Sequence, residues 1–103
     1  MYRSSYNLYC SPDALEYIKI KMSKHPNSFL RLGVVNSEFK IYIDNAIFET
    51  DMTYVFDNIK VVIDQKLVLI YNNARLYIKD DKLDIDRTNC SYQLEYDINE
   101  VSN

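Results

Sequence analysis

Few residues in this chain could do chemistry. Cys10 and Cys90 are the only thiols and His25 the only imidazole among 103 residues. Thiolates and imidazoles bind metals when several converge, and these three are far apart in sequence with no neighbouring ligand at the short spacings of known sites. The two cysteines pair only if folding brings them together, and in a chain without secretory features they are expected to be free and to act as small buried hydrophobes. His25 stands beside Pro26, where a polar side chain serves the exposed carbonyls of a helix end. Asp80, Asp81, Asp84 and Asp86 form an acidic cluster that lacks the ordered spacing and turn glycine of a calcium loop, so it reads as a solvated turn. Gly33 is the only glycine, which excludes a glycine-rich phosphate loop. Ser11 suits a helix cap, since no histidine is placed to activate it as a nucleophile. No acid–base or nucleophile constellation remains, and an enzyme is not expected.

Composition narrows the class further. The length fits one domain, able to bury roughly 60–68 per cent of its unfolded surface. Apolar residues make up 48% and charged residues 26%, the balance of a chain that folds. Net charge is −3 and the isoelectric point about 5.0, with lysines and arginines scattered, so an electrostatic nucleic-acid footprint is not expected. The longest apolar run, Leu67 to Tyr71, is far short of the roughly 18 residues of a membrane span, and Met1 to Ser5 lead into no signal-like apolar stretch. A soluble, intracellular protein is expected. Ile, Asn, Lys, Tyr and Phe are abundant whereas Gly, Ala, Arg and Pro are scarce, a bias that AT-rich codons write. That points to a plastid, a reduced endosymbiont, a low-GC bacterium or a large virus, hence to plastid stroma or cytoplasm. The ten tyrosines fit amphipathic core edges first, AT-rich coding second and a protein interface third.

The elements that must position these residues are legible from period and punctuation. Tyr6 to Cys10 reads as a short strand, and Ser11-Pro12-Asp13 opens a helix with a hydroxyl cap, a proline at the first position and an early carboxylate. The helix is expected from Pro12 to about Lys24, with Leu15, Ile18 and Met22 as its apolar stripe and Ala14 beside them. From Phe29 the period becomes two. Leu30, Leu32 and Val34 alternate with Arg31 and Gly33, and after a turn at Asn36-Ser37 so do Phe39, Ile41 and Ile43 with Lys40, Tyr42 and Asp44, a hairpin. Ala46 to Phe48 fits either a continuation of that strand or the start of another. Tyr54 to Phe56 and Ile59 to Ile63 make a second hairpin through Asp57-Asn58. Asp64 caps a short helix over Gln65 to Ile70, in preference to a strand over the same apolar run. Strands follow at Leu76 to Ile78 and Leu83 to Ile85 about a turn at Asp80-Asp81-Lys82, and Tyr92, Leu94 and Tyr96 read as a last strand before the polar tail Asn99 to Asn103. One amphipathic helix on many short strands is an α+β domain spanning 1–103.

Several of these stretches resemble one family in order. Phe29-Leu30-Arg31-Leu32-Gly33-Val34 resembles the "LRLGV" strand of the HesB/IscA (A-type) iron–sulfur carriers, behind the helix that Ser11-Pro12-Asp13-Ala14 opens. Asp51, Val55-Phe56-Asp57-Asn58, Ile59-Lys60-Val61-Val62-Ile63-Asp64 and Lys66 resemble the "D…VFED.GVKVVVD.KS" segment. Leu76-Tyr77-Ile78 and Leu83-Asp84-Ile85 through Thr88-Asn89 resemble the following strand and the "F.I.NPN" element, so about residues 8–89 are covered. The resemblance implies a compact, mostly β domain of two packed mixed sheets with an N-terminal helix, and an activity of receiving an iron–sulfur cluster or iron and passing it to other proteins. It implies cysteine ligands because thiolates are the soft anionic groups that hold such clusters.

The chain departs from the family at those ligands. The family's "GCSG" loop belongs just after the LRLGV strand, where this chain turns at Asn36-Ser37-Glu38, and Tyr92-Gln93-Leu94-Glu95 stands where the Cys-x-Cys pair is due. Cys90 is single and out of register. The expectation is therefore a divergent HesB/IscA-like domain with no metal or cofactor residues of its own, acting through protein contacts, with iron–sulfur assembly proteins and a homo- or hetero-dimer as the partners to consider. One alternative is an iron–sulfur or iron carrier that uses Cys90 across a dimer. Another is a structural or interaction protein built on the recruited scaffold.

Overall fold

The computed structural model describes residues 6–90. The expected last strand over Tyr92 to Tyr96 and the polar tail lie outside the described residues. Seven strands and two helices follow in the order β1 (Leu8–Cys10), α1 (Pro12–Met22), β2 (Phe29–Val35), β3 (Glu38–Asp44), β4 (Asp51–Phe56), β5 (Ile59–Asp64), α2 (Val68–Tyr71), β6 (Ala74–Lys79) and β7 (Lys82–Asp86), with a single 3-10 turn Gln65–Leu67 leading into α2.

The strands form two mixed sheets. One has the order β1-β6-β7, with β1 parallel to β6 and β6 antiparallel to β7. The other has the order β3-β2-β5-β4, in which two antiparallel hairpins are joined through the parallel pair β2 and β5. Leu8, Ala74 and Leu76 from the first sheet, Leu30, Leu32, Val61 and Ile63 from the second, and Ala14, Ile18 and Met22 from α1 share one apolar cluster. This is the α+β, mostly β architecture expected from the sequence.

The helix begins as its first residues dictate. Ser11 Oγ accepts the Ala14 amide at 3.2 Å, Pro12 has no amide hydrogen to waste, and Asp13 lies in the positive end of the first turn. It ends at Met22, two residues before the expected Lys24, because Lys24 and His25 amides bond to Lys21 and Met22 carbonyls in a tightening last turn. Its fully buried row is Ala14, Ile18 and Met22, at i, i+4 and i+8, and Leu15 lies at the edge of that row.

Turns that ordinarily use glycine use Asn, Asp and Ser here. Both residues of the β2–β3 turn, Asn36 and Ser37, have positive φ (52° and 67°), as do Asp80 and Asp81 (53° and 63°) at the β6–β7 turn. Two consecutive left-handed residues are the hairpin geometry that matches strand twist, and the short polar side chains tolerate it. Asp64 caps the 3-10 turn by accepting the Lys66 amide at 2.9 Å, as expected from its type. Residues 45–48 form neither a strand nor an extension of β3. Among the described residues, no helix is long and apolar enough to cross a membrane.

Candidate functional site

The resemblance directs attention to the end of β2, where a cysteine loop is due. The chain closes there in two residues. Val35 pairs with Glu38, so Asn36 and Ser37 complete the hairpin with no residue to spare for a ligand-bearing loop. The neighbourhood of this end is filled by side chains from three elements. Tyr71 of α2, 1% exposed, donates its hydroxyl to the Gly33 carbonyl at 2.7 Å and meets the Phe39 ring edge-on at 5.3 Å. The Arg87 guanidinium lies 4.5 Å over the other aromatic partner, Phe39, and donates from Nε to the Ile70 carbonyl at 3.0 Å. The Cys90 amide in turn donates to the Arg87 carbonyl at 3.0 Å.

Cys90 is thus carried to the same end of the molecule as the short turn, half-buried against the core. Burial pushes its thiol up, against the pull of Arg87, which lies near and hydrogen-bonds the sulfur. Burial also pushes the Tyr71 hydroxyl up, and the neutral phenol is what its bond to Gly33 requires. Cys10, at the end of β1, is half-buried as well; its thiol is raised by burial and by the nearby Asp13, and donates weakly to the Ser11 carbonyl at 3.6 Å. Both cysteines are free, as expected, but neither is fully buried.

These donors do not fit an iron–sulfur cluster within one chain. A cluster takes about four thiolates or imidazoles, and the whole chain has two thiols and one imidazole. Cys10 and His25 stand beyond opposite ends of α1, whose 11 residues span about 16 Å. His25 is exposed and lines a shallow depression beside Met22, Phe29 and Ile47; the Met22 carbonyl is served by its backbone amide, so the imidazole does not take the capping role expected of it. No group of three or more His, Cys, Asp or Glu that could hold a metal occurs among the described residues. Asp80 and Asp81 form the exposed turn, while Asp84 accepts the Ile85 amide at 2.8 Å and Asp86 the Thr88 amide at 2.9 Å. Of the seven tyrosines described, only Tyr71 is buried.

A second constellation was not legible as such in the sequence. Arg31, in the middle of β2, points to the outer face of its sheet, yet its side chain is 8% exposed. Its Nε donates to Asp44 at 2.7 Å, Nη1 and Nη2 donate to the two carboxylate oxygens of Asp51 at 2.9 and 2.8 Å, and Nη2 also reaches the Ala46 carbonyl at 2.9 Å. The Phe29 and Phe48 rings lie 5.5 and 5.8 Å from the guanidinium. Asp51 also accepts the Phe48 amide at 2.8 Å, and its side chain has no exposed surface. Arg31 hydrogen bonds hold both aspartates below the usual carboxylate range. This cluster fastens residues 45–50, the link between the β3 and β4 edges, across the outer face of the sheet. It is an architectural clamp with every buried side-chain polar atom among the described residues satisfied. The available signal was a pair of aspartates bracketing that link, with one arginine inside an apolar strand.

No family model matches the chain, and no curated protein matches it either. Solved structures do. The chain is similar to Escherichia coli SufA, described as involved in biosynthesis of iron–sulfur clusters, with a TM-score of 0.63, 16% identity, and 84% of this chain and 92% of SufA covered. It is also similar to a protein from Aquifex aeolicus solved by NMR in solution, with a TM-score of 0.60, 26% identity, and 82% and 97% covered. The fold is HesB/IscA-like, as the ordered sequence resemblance implied.

Proposed function

We propose that this chain is a divergent iron–sulfur biogenesis domain of the HesB/IscA type that acts through protein contacts and does not hold a cluster with the family's cysteines. The observation that carries this reading is the closure of β2 and β3 by Asn36 and Ser37 alone, at the place where the loop ligand is due. A substitution would leave a loop ready to regain a thiol. A two-residue turn does not, and the adjoining space is taken by the Tyr71–Phe39–Arg87 stack. Likeness to SufA supplies the iron–sulfur context.

The chain is read as a binding protein and not an enzyme, working in the cytoplasm or plastid stroma of an organism with an AT-rich genome. Its partners are iron–sulfur assembly proteins, and cluster or iron is their cargo. The test is capture of assembly components by the intact protein and by a Cys10→Ser, Cys90→Ser double variant. Equal recovery of an assembly component by both supports the reading. Recovery of one stable partner unrelated to iron–sulfur assembly would favour a recruited structural scaffold, and loss of capture in the double variant would return a role to the thiols.

One observation favours a second reading, a carrier that shares a cluster between two Cys90 residues across a dimer. Cys90 is only half-buried, and it lies at the end of the domain where the missing loop is due. A stable cluster band in the wild type that Cys90→Ser abolishes is the result this reading requires.

A further inference from the structure

An open cleft of about 380 Å³ lies between α1, the core-side face of β3 and the start of β7. It is unrelated to Cys90 and to the Arg31 clamp. Its floor is Leu30, Ile41, Ile43 and Leu83, and Ile18 and Met22 close one side. Ile41, Ile43 and Leu83 belong by alternation to the apolar side of their strands, yet all three are only half-buried. β3 and β7 are edge strands of different sheets, so no further strand covers the gap between them among the described residues.

The rim is cationic. Lys21 and Lys82 both line the cleft and both are exposed. Lys21 lies 5.4 Å over the Tyr17 ring, and neither lysine has a carboxylate within ion-pair distance among the described residues. Lys19, Arg31, Lys40 and Arg75 do have such partners. The charged side chains lining the cleft are thus both cationic and beside open apolar surface, whereas Asp80, Asp81 and Asp84, which flank Lys82 in sequence, do not line it. The volume is that of a small-ligand pocket, in which apolar walls give affinity and a few polar groups fix orientation.

We propose that this cleft binds an anionic amphiphile, an aliphatic carboxylate whose chain lies on Ile41, Ile43 and Leu83 and whose head group meets Lys21 and Lys82. An apolar chain alone would leave the two ammonium groups unused, and a cationic head would be repelled by both. The attraction acts at an exposed rim, so salt weakens it.

The test is titration of the full-length, isotope-labelled protein with decanoate, with decanol, and with decyltrimethylammonium, read as backbone amide shifts. Decanoate is expected to shift amides of 41–43 and 82–83, to bind at least ten-fold more tightly than decanol, and to weaken as salt is raised. The cation is expected to give no saturable shift there. In a Lys21→Glu, Lys82→Glu variant decanoate affinity is expected to fall at least ten-fold while decanol affinity is unchanged. Lys82→Gln serves the same comparison with a smaller drop if the double variant loses its native spectrum. Equal binding of the three amphiphiles, shifts confined to another surface, no saturation by decanoate at millimolar concentration, or concentration-dependent shifts of the same amides without ligand, which mean a second copy fills the cleft, would each overturn the proposal.

Discussion

Arg31 and Asp51 lie 20 residues apart and on strands separated by β5, yet two guanidinium nitrogens meet both Asp51 oxygens at 2.9 and 2.8 Å. Both residues fall in segments that resemble the HesB/IscA family, and the fold turns two distant motifs into one contact. The paired geometry suits arginine in particular, because its planar fork presents parallel donors to a carboxylate.

Removing the arginine should be costly. Arg31→Ala leaves Asp51, fully covered, without its counter-charge, and a loss of about 3–5 kcal/mol is expected in urea unfolding. Arg31→Lys keeps a charge but not the fork, so an intermediate loss is expected. A loss under 1 kcal/mol for Arg31→Ala would show that the clamp does not hold the link 45–50.

The same contact predicts a response to acid. Asp44 and Asp51 titrate lower in the folded protein than in the unfolded chain. Their contribution is therefore complete above the ordinary carboxylate range, near pH 4, and is lost as pH falls through their lowered folded values. The urea midpoint should fall steeply below pH 4 in the wild type and less steeply in Asp51→Asn. Equal slopes would contradict the assignment.

Much of the fold was legible because local chemistry and long-range packing agree. Ser11-Pro12-Asp13 states a helix start, and Asn36-Ser37 and Asp57-Asn58 state hairpin turns, in side chains that tolerate positive φ. The link Asn45 to Thr50 was not legible, since Ala46, Ile47 and Phe48 look like strand by type. Their conformation is set instead by Arg31, which reaches Ala46 and packs near Phe48 from 15 and 17 positions away. A local pattern has no access to such partners. Likewise the sequence places Cys90 only after Asn89; that it lies near Tyr71 depends on Arg87, just past β7, which reaches the Ile70 carbonyl of α2 and accepts the Cys90 amide at its own carbonyl.

Turn strain gives a stabilising variant. Ser37 has φ 67°, a conformation that costs an ordinary L-residue roughly 1–2 kcal/mol, of which glycine's greater unfolded entropy returns about half. Ser37→Gly is expected to raise stability by about 0.5–1 kcal/mol, read as a higher melting temperature. A lower one would show that the Ser37 side chain makes a contribution beyond the turn.

The buried phenol is a separate lever. Tyr71→Phe removes the donor to the Gly33 carbonyl while keeping the ring against Phe39, and a loss of about 1–2 kcal/mol is expected on thermal or urea unfolding. A neutral result would mean that water replaces the hydroxyl.

Thiol chemistry should follow burial. Both cysteines are pushed up in the folded protein and are protonated at neutral pH, so alkylation by iodoacetamide at pH 7 is expected to be at least ten-fold slower than in denaturant. Fast native reaction at Cys90 would identify it as an activated thiol and support the carrier reading.

The most direct measurement is anaerobic reconstitution of the intact protein with ferrous iron and sulfide, followed by desalting, visible absorption and iron content. The account predicts no stable cluster band and iron well below one atom per chain, in the wild type and in Cys90→Ser alike. A stable band with stoichiometric iron and sulfide in the wild type, lost in Cys90→Ser, would contradict it.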